Sequence, residues 1–102
     1  MPSANFEAAA KAVKQLKAKP SQDELLQLYA LFKQANQEPK FEDAAKPGTF
    51  DFAGKAKYKA WENVVKEGVT PADAEKKYVA LVAELKQKYG YDPSKTPETV
   101  GS

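Results

Sequence analysis

The sequence contains no cysteine and no histidine, and its 16 basic residues are all lysine. Without cysteine there is no disulfide framework and no thiolate chemistry. Without histidine as well, a zinc site and the common nucleophile–base pairs lose their usual members. Without arginine there is no bidentate fork for phosphate or guanine, so any anion must be met by lysine point charges. A net charge of +2 with no dense basic block does not suit a nucleic-acid binder. No apolar run approaches the roughly 18 residues of a membrane span. The first 13 residues carry Glu7 and Lys11 and no apolar core of a secretory signal. Pro2 removes the glycine that myristoylation needs at the second position. A cytoplasmic location is the expectation.

What is present suits a single domain: 102 residues, 42% hydrophobic and 29% charged, have room for one modest core. Residues 4–18 read as a first helix, with Phe6, Ala9, Ala10, Val13 and Leu16 at helical spacing. Pro20 ends it. Ser21 and Glu24 have the spacing of a capping box, which opens a second helix over residues 22–36. In residues 37–53 the periodicity fails among loop and turn signals. Phe41, Phe50 and Phe52 lie there and are expected to pin this long connection to the core. A third helix is expected over residues 54–66, with Ala56, Ala60, Trp61, Val64 and Val65 on its apolar side and Gly68 after it. Thr70 and Pro71 open a fourth, whose stripe Ala74, Tyr78, Leu81, Val82, Leu85 and Tyr89 runs to Gly90. Residues 92–102 read as a polar, disordered tail, leaving residues 1–91 as the domain. The fold class is all-α, a four-helix bundle with one long connection between helices two and three.

The second helix interrupts its own apolar pattern. At about 100° per residue, Tyr29, Phe32 and Lys33 share one arc, presenting a hydroxyl, a ring and a cation. Spacing alone favours ordinary core edge and snorkelling lysine over a ligand clamp. Lys55 and Lys57, near the start of helix three, lie about 200° apart, so at most one shares a face with a bound anion. Tyr78, inside a core stripe, reads as packing. Ala10 and Lys14 place a small residue and a cation one turn apart on helix one. No carboxylate pair, phosphate loop or metal-ligand spacing stands out.

Together these segments resemble a known family. Lys19-Pro20, Leu28-Tyr29 with Lys33-Gln34-Ala35, Pro47-Gly48 with Asp51-Phe52, and Gly54-Lys55-Ala56-Lys57 with Ala60-Trp61 follow the motif order of the acyl-coenzyme A-binding protein family. The resemblance runs from Phe6 to about Tyr91. It implies an up-down-down-up bundle that carries medium- to long-chain acyl-coenzyme A esters, palmitoyl-coenzyme A being a representative ligand. It further implies a monomer that is not an enzyme, needs no cofactor or metal, and makes at most transient contacts with membranes or ester-using enzymes. By position it assigns Tyr29, Lys33 and Lys57 to the phosphorylated ribose and adenine end. Lys14 and Tyr78 become further nucleotide-end contacts, and Ala10 a small position near the base. Ala30, Leu31, Phe32 and Lys55 complete the implied ligand set, while Phe6 and Leu26 stand where apolar contacts are expected. Two departures stand out. Phe32 keeps an aromatic ring where the family commonly has a hydroxyl as well, and Ala53 replaces a frequent lysine. The stretch between Ala35 and Pro47 and the turn before Gly68 are slightly longer than usual. The alternatives are a helical protein-interaction module with a lysine-rich face and, more distantly, a thioesterase.

Overall fold

The computed structural model describes residues 3–37 and 40–94. Four α-helices follow one another: α1 (Ala4–Val13), α2 (Gln22–Asn36), α3 (Phe52–Lys66) and α4 (Pro71–Tyr89). Among the described residues of the connection between α2 and α3, a 3₁₀ turn runs over Phe41–Asp43. Contacts between helix ends fix the helix directions. Ser3 N–H at the start of α1 donates to Glu75 Oε1 near the start of α4 at 2.6 Å. Leu16, just past α1, forms a β-bridge with Tyr91, just past α4, so these two helices are parallel. Glu24 at the start of α2 meets Lys88 and Tyr89 at the end of α4, which makes that pair antiparallel. Gln34 near the end of α2 reaches Val69 beyond the end of α3. The resulting order is up-down-down-up, and the parallel α2–α3 pair is what requires the long connection.

Local chemistry sets the helix ends. Both halves of the Ser21 capping box form: Glu24 N–H donates to Ser21 Oγ at 3.2 Å, and Ser21 N–H donates to Glu24 Oε1 at 2.9 Å. Thr70 accepts from Asp73 N–H at 3.1 Å ahead of Pro71 in the first turn of α4. Gly90 stops α4 at φ 82°, a left-handed backbone conformation that favours glycine. The core is built by α1, α2 and α4 around Phe6, Val13, Leu16, Leu28, Tyr78, Val82 and Leu85. By contrast, α3 fully buries only Trp61 and leaves Ala56, Ala60, Val64 and Val65 half-exposed. Its apolar side is incompletely covered by protein.

Three expectations need correction. The first helix ends at Val13, not at residue 18. Leu16 keeps helical spacing and is buried, but the backbone has left the helix: Lys17 N–H donates to Gly90 O at 2.9 Å and Asp92 N–H to Gln15 O at 3.2 Å. The same pairing orders the beginning of the supposed tail. Gln15 Nε2 donates to Pro93 O at 2.9 Å, so the chain through Ser94 is docked, and residues 95–102 lie outside the described residues. Finally, α3 starts at Phe52, two residues earlier than residue 54, because Asp51 caps it by accepting from Gly54 N–H at 2.9 Å.

Glu24 ties the start of α2 to the end of α4 and should make stability acid-sensitive. Its carboxylate is held at about 2, down from 4.5, first by the Tyr89 hydroxyl, then by the Lys88 ammonium and the Ser21 N–H. The folded value lies below the unfolded one. Its stabilisation is therefore complete above pH 4.5 and is lost as pH falls toward about 2. A Glu24→Gln variant should melt below the wild type at pH 7, with the gap closing across that acid range. A gap independent of pH would remove the ionised carboxylate from the explanation.

Candidate functional site

Incomplete cover over α3 leaves two concavities along its contact with α2. The first is a hollow of about 260 Å³ between α2, α3 and their connection, lined by Tyr29, Lys33, Pro47, Lys57, Tyr58 and Trp61, with Ala44, Ala45, Asp51 and Gly54. Lys57 Nζ lies 5.4 Å from the Tyr29 ring centre, and Lys33 Nζ lies 5.8 Å from that of Trp61. Both ammonium groups rest at cation–π distance from a ring and belong to half-buried residues. Burial raises the Tyr29 pKa above its ordinary 10, so its hydroxyl is a donor at neutral pH. Two cations, two phenols and an indole thus surround one opening, a set suited to a flat ring bearing phosphates.

The floor of this hollow is fixed by Gln34. Its side chain is buried, accepts from Trp61 Nε1 at 3.2 Å, and donates to Val69 O at 2.7 Å. One amide therefore holds the indole and ties α2 to the α3–α4 turn. Phe41 covers the other side, with its ring centre 5.2 Å from Trp61 and 5.0 Å from Tyr58. This phenylalanine pins the connection as expected. Phe50 and Phe52 do not: they are 86% and 74% exposed.

The second concavity, of about 380 Å³, is an apolar groove lined by Leu26, Ala30, Leu31, Ala60 and Val64, with Gln27, Asn63 and Glu67 at its edges. Ala30 is fully buried at its base. The small residues Ala30 and Ala60 leave room where larger ones would fill the seam.

The structure divides the candidate residues among these places. Tyr29, Lys33 and Lys57 share the hollow, while Ala30 and Leu31 line the groove. Phe32, drawn on the same arc as Tyr29, turns the other way. It joins Phe6 at 5.5 Å and Tyr78 at 6.0 Å in an aromatic group linking α1, α2 and α4. Phe6 and Tyr78 are buried core residues, and burial pushes the Tyr78 hydroxyl up to about 12, so it stays protonated. Lys55 points away from the hollow: its Nζ donates to Thr49 O at 2.6 Å and lies 5.8 Å from the Phe52 ring centre. Lys14 is exposed at the end of α1, one turn beyond the half-buried Ala10. Tyr58, Trp61, Pro47 and Gly54 were not singled out as site residues. Pro47, Gly54 and Trp61 stand inside the quoted motifs and Tyr58 directly follows Lys57, which is the signal the sequence offers.

Residues 3–82 match the family described as acyl CoA binding protein. The chain belongs to this family. Membership supplies the coarse function, which is binding and carriage of acyl-CoA without catalysis. The chain is 55% identical over 86 residues to acyl-CoA-binding protein homolog 1 of Caenorhabditis elegans, covering 84% of this chain and 95% of the relative. It is 51% identical over 84 residues to the acyl-CoA-binding protein of Saccharomyces cerevisiae, covering 82% and 92%. Among solved structures, acyl-CoA-binding protein 2 of Oryza sativa superposes with a TM-score of 0.72 at 30% identity, covering 90% of this chain and 96% of that one. The yeast protein in solution gives 0.68 at 50% identity, covering 86% and 98%. The family's four-helix bundle, with its long α2–α3 connection, is the fold found here.

Proposed function

We propose that the chain is a monomeric cytosolic carrier of medium- to long-chain acyl-coenzyme A, palmitoyl-coenzyme A being a representative cargo. The nucleotide end is held in the hollow and the acyl chain in the groove. What carries this reading is that α2 and α3 together form both concavities, one cationic and aromatic, the other apolar. The ligand has the same division into an anionic, aromatic head and an alkyl tail.

Each half contributes differently. Lys33 and Lys57 would supply charge-assisted hydrogen bonds to phosphate, about 1.5–3 kcal/mol apiece, and Tyr29 a further donor. Each methylene withdrawn from water contributes about 0.8 kcal/mol, so a long chain offers on the order of 10 kcal/mol before ordering costs. The head therefore selects coenzyme A, and the tail sets much of the affinity. Phe32 is no part of either concavity: its ring packs with Phe6 and Tyr78 between α1, α2 and α4.

Calorimetric titration with palmitoyl-coenzyme A, paired with a free-thiol assay of the same mixture, tests the proposal. Saturable binding with one ligand per chain and no thiol release is expected. Thiol release above the protein-free rate would make the chain a thioesterase, and absence of saturation would favour a protein-interaction module.

A further inference from the structure

Phe50 and Phe52 are the large hydrophobic residues that the described structure leaves exposed, at 86% and 74%. They flank Asp51, which lines the mouth of the hollow, and the turn that carries them is internally braced. Asp51 N–H donates to Gly48 O at 3.1 Å, and Lys55 Nζ holds Thr49 O at 2.6 Å. Phe52 is also fixed as the first residue of α3. Two rings are thus held outward on a firm support, with exposed Lys55 beside Phe52, its Nζ 5.8 Å from the ring centre, and exposed Lys46 four residues before Phe50 in the chain. Residues 46–57 include Lys46, Lys55 and Lys57 against Asp51 alone, a local net charge of +2. The Asp51 carboxylate is itself engaged as the cap of α3.

We infer that Phe50 and Phe52, with Lys46 and Lys55, form a docking tip that inserts reversibly into an anionic lipid surface. Aromatic side chains enter the interfacial layer of a bilayer, and neighbouring ammonium groups meet acidic headgroups. A second copy of the chain fits less well. Two phenylalanines bury at most about 150–250 Å² each, well short of the roughly 800 Å² per partner of a stable protein interface. Weak, reversible membrane contact needs no such area. The tip borders the hollow, so docking would bring the site mouth to the headgroup layer. Collection of acyl-CoA there rests on the carrier reading above, whereas the lipid contact itself does not.

The test is co-sedimentation of the full chain with vesicles of phosphatidylcholine and phosphatidylserine at about 3:1. Wild type should partition at least about tenfold more strongly than a Phe50→Ser, Phe52→Ser double variant, given the apolar surface removed. It should also bind pure phosphatidylcholine vesicles markedly less. Both positions are exposed, so the variant should melt with the wild type and bind palmitoyl-coenzyme A in vesicle-free solution within about twofold, since neither ring lines the hollow or the groove. A Phe50→Trp variant should show a blue-shifted emission on adding vesicles, read against the already buried Trp61. Equal sedimentation of wild type and double variant, or an unmoved Phe50→Trp emission, would overturn the inference. So would self-association of the wild type through these rings without vesicle binding. Loss of palmitoyl-coenzyme A binding by the wild type in solution would instead count against the carrier proposal, leaving the vesicle result to be read separately.

Discussion

Lys33→Ala should weaken palmitoyl-coenzyme A binding by roughly 10- to 100-fold, the equivalent of one charge-assisted hydrogen bond of about 1.5–3 kcal/mol. Lys33 is half-buried on the wall of the hollow, within cation–π distance of Trp61 and one helical turn from Tyr29. Lys11, exposed on α1 outside both concavities, is the matched control. Lys11→Ala should change affinity by less than about twofold, because a solvated lysine in salt contributes little at a distance. Calorimetry on both variants decides the matter. Comparable losses would mean that the anion is held by the diffuse field of 16 lysines rather than by a built site.

Gln34→Ala should be the most destabilising single change considered, at about 2–4 kcal/mol. Removing this side chain leaves the buried Trp61 indole N–H without its acceptor and takes a donor from the Val69 carbonyl. It also opens a void beneath the hollow. In a domain of this size, 1 kcal/mol corresponds to roughly 4–8 °C, so the melting temperature should fall by more than about 10 °C. Gln34→Leu restores volume but neither hydrogen bond, and should recover only part of the loss. A melting temperature within about 2 °C of wild type for the alanine variant would show that water replaces the amide at little cost. Ligand affinity should fall as well, because Gln34 positions Trp61.

The second helix was legible in full because its determinants are local. Ser21 and Glu24 set its start, and no glycine or proline breaks the chain before Asn36. Periodicity overextends the first helix because Leu16 continues the spacing of Val13. What ends the helix there is pairing with Gly90, Tyr91 and Asp92, far away in sequence. Periodicity reports which side chains are buried and is silent about which backbone partner a residue takes. The docking of Gln15 on Pro93, 78 residues apart, was unreadable for the same reason.

For the candidate site, the helical wheel placed Tyr29 and Lys33 together and set Lys55 against Lys57. The structure puts Tyr29, Lys33 and Lys57 around one hollow and turns Lys55 to Thr49. Phe32 was harder to place. It lies about 100° from Lys33 on the helix, enough for contact with α1 and α4 to claim its ring. The three phenylalanines of the connection could not be separated by sequence either. Only one finds a niche, against Tyr58 and Trp61, and the exposure of the other two follows from the turn at Gly48 and the cap at Asp51.

Division of labour between hollow and groove is tested most directly by titrating the wild type with palmitoyl-coenzyme A, free coenzyme A and palmitate under one buffer condition. The ester should bind most tightly, with free coenzyme A and palmitate each weaker by at least about 100-fold, since each retains only one half of the contacts. Palmitate binding as tightly as its coenzyme A ester would contradict the role given to Tyr29, Lys33 and Lys57.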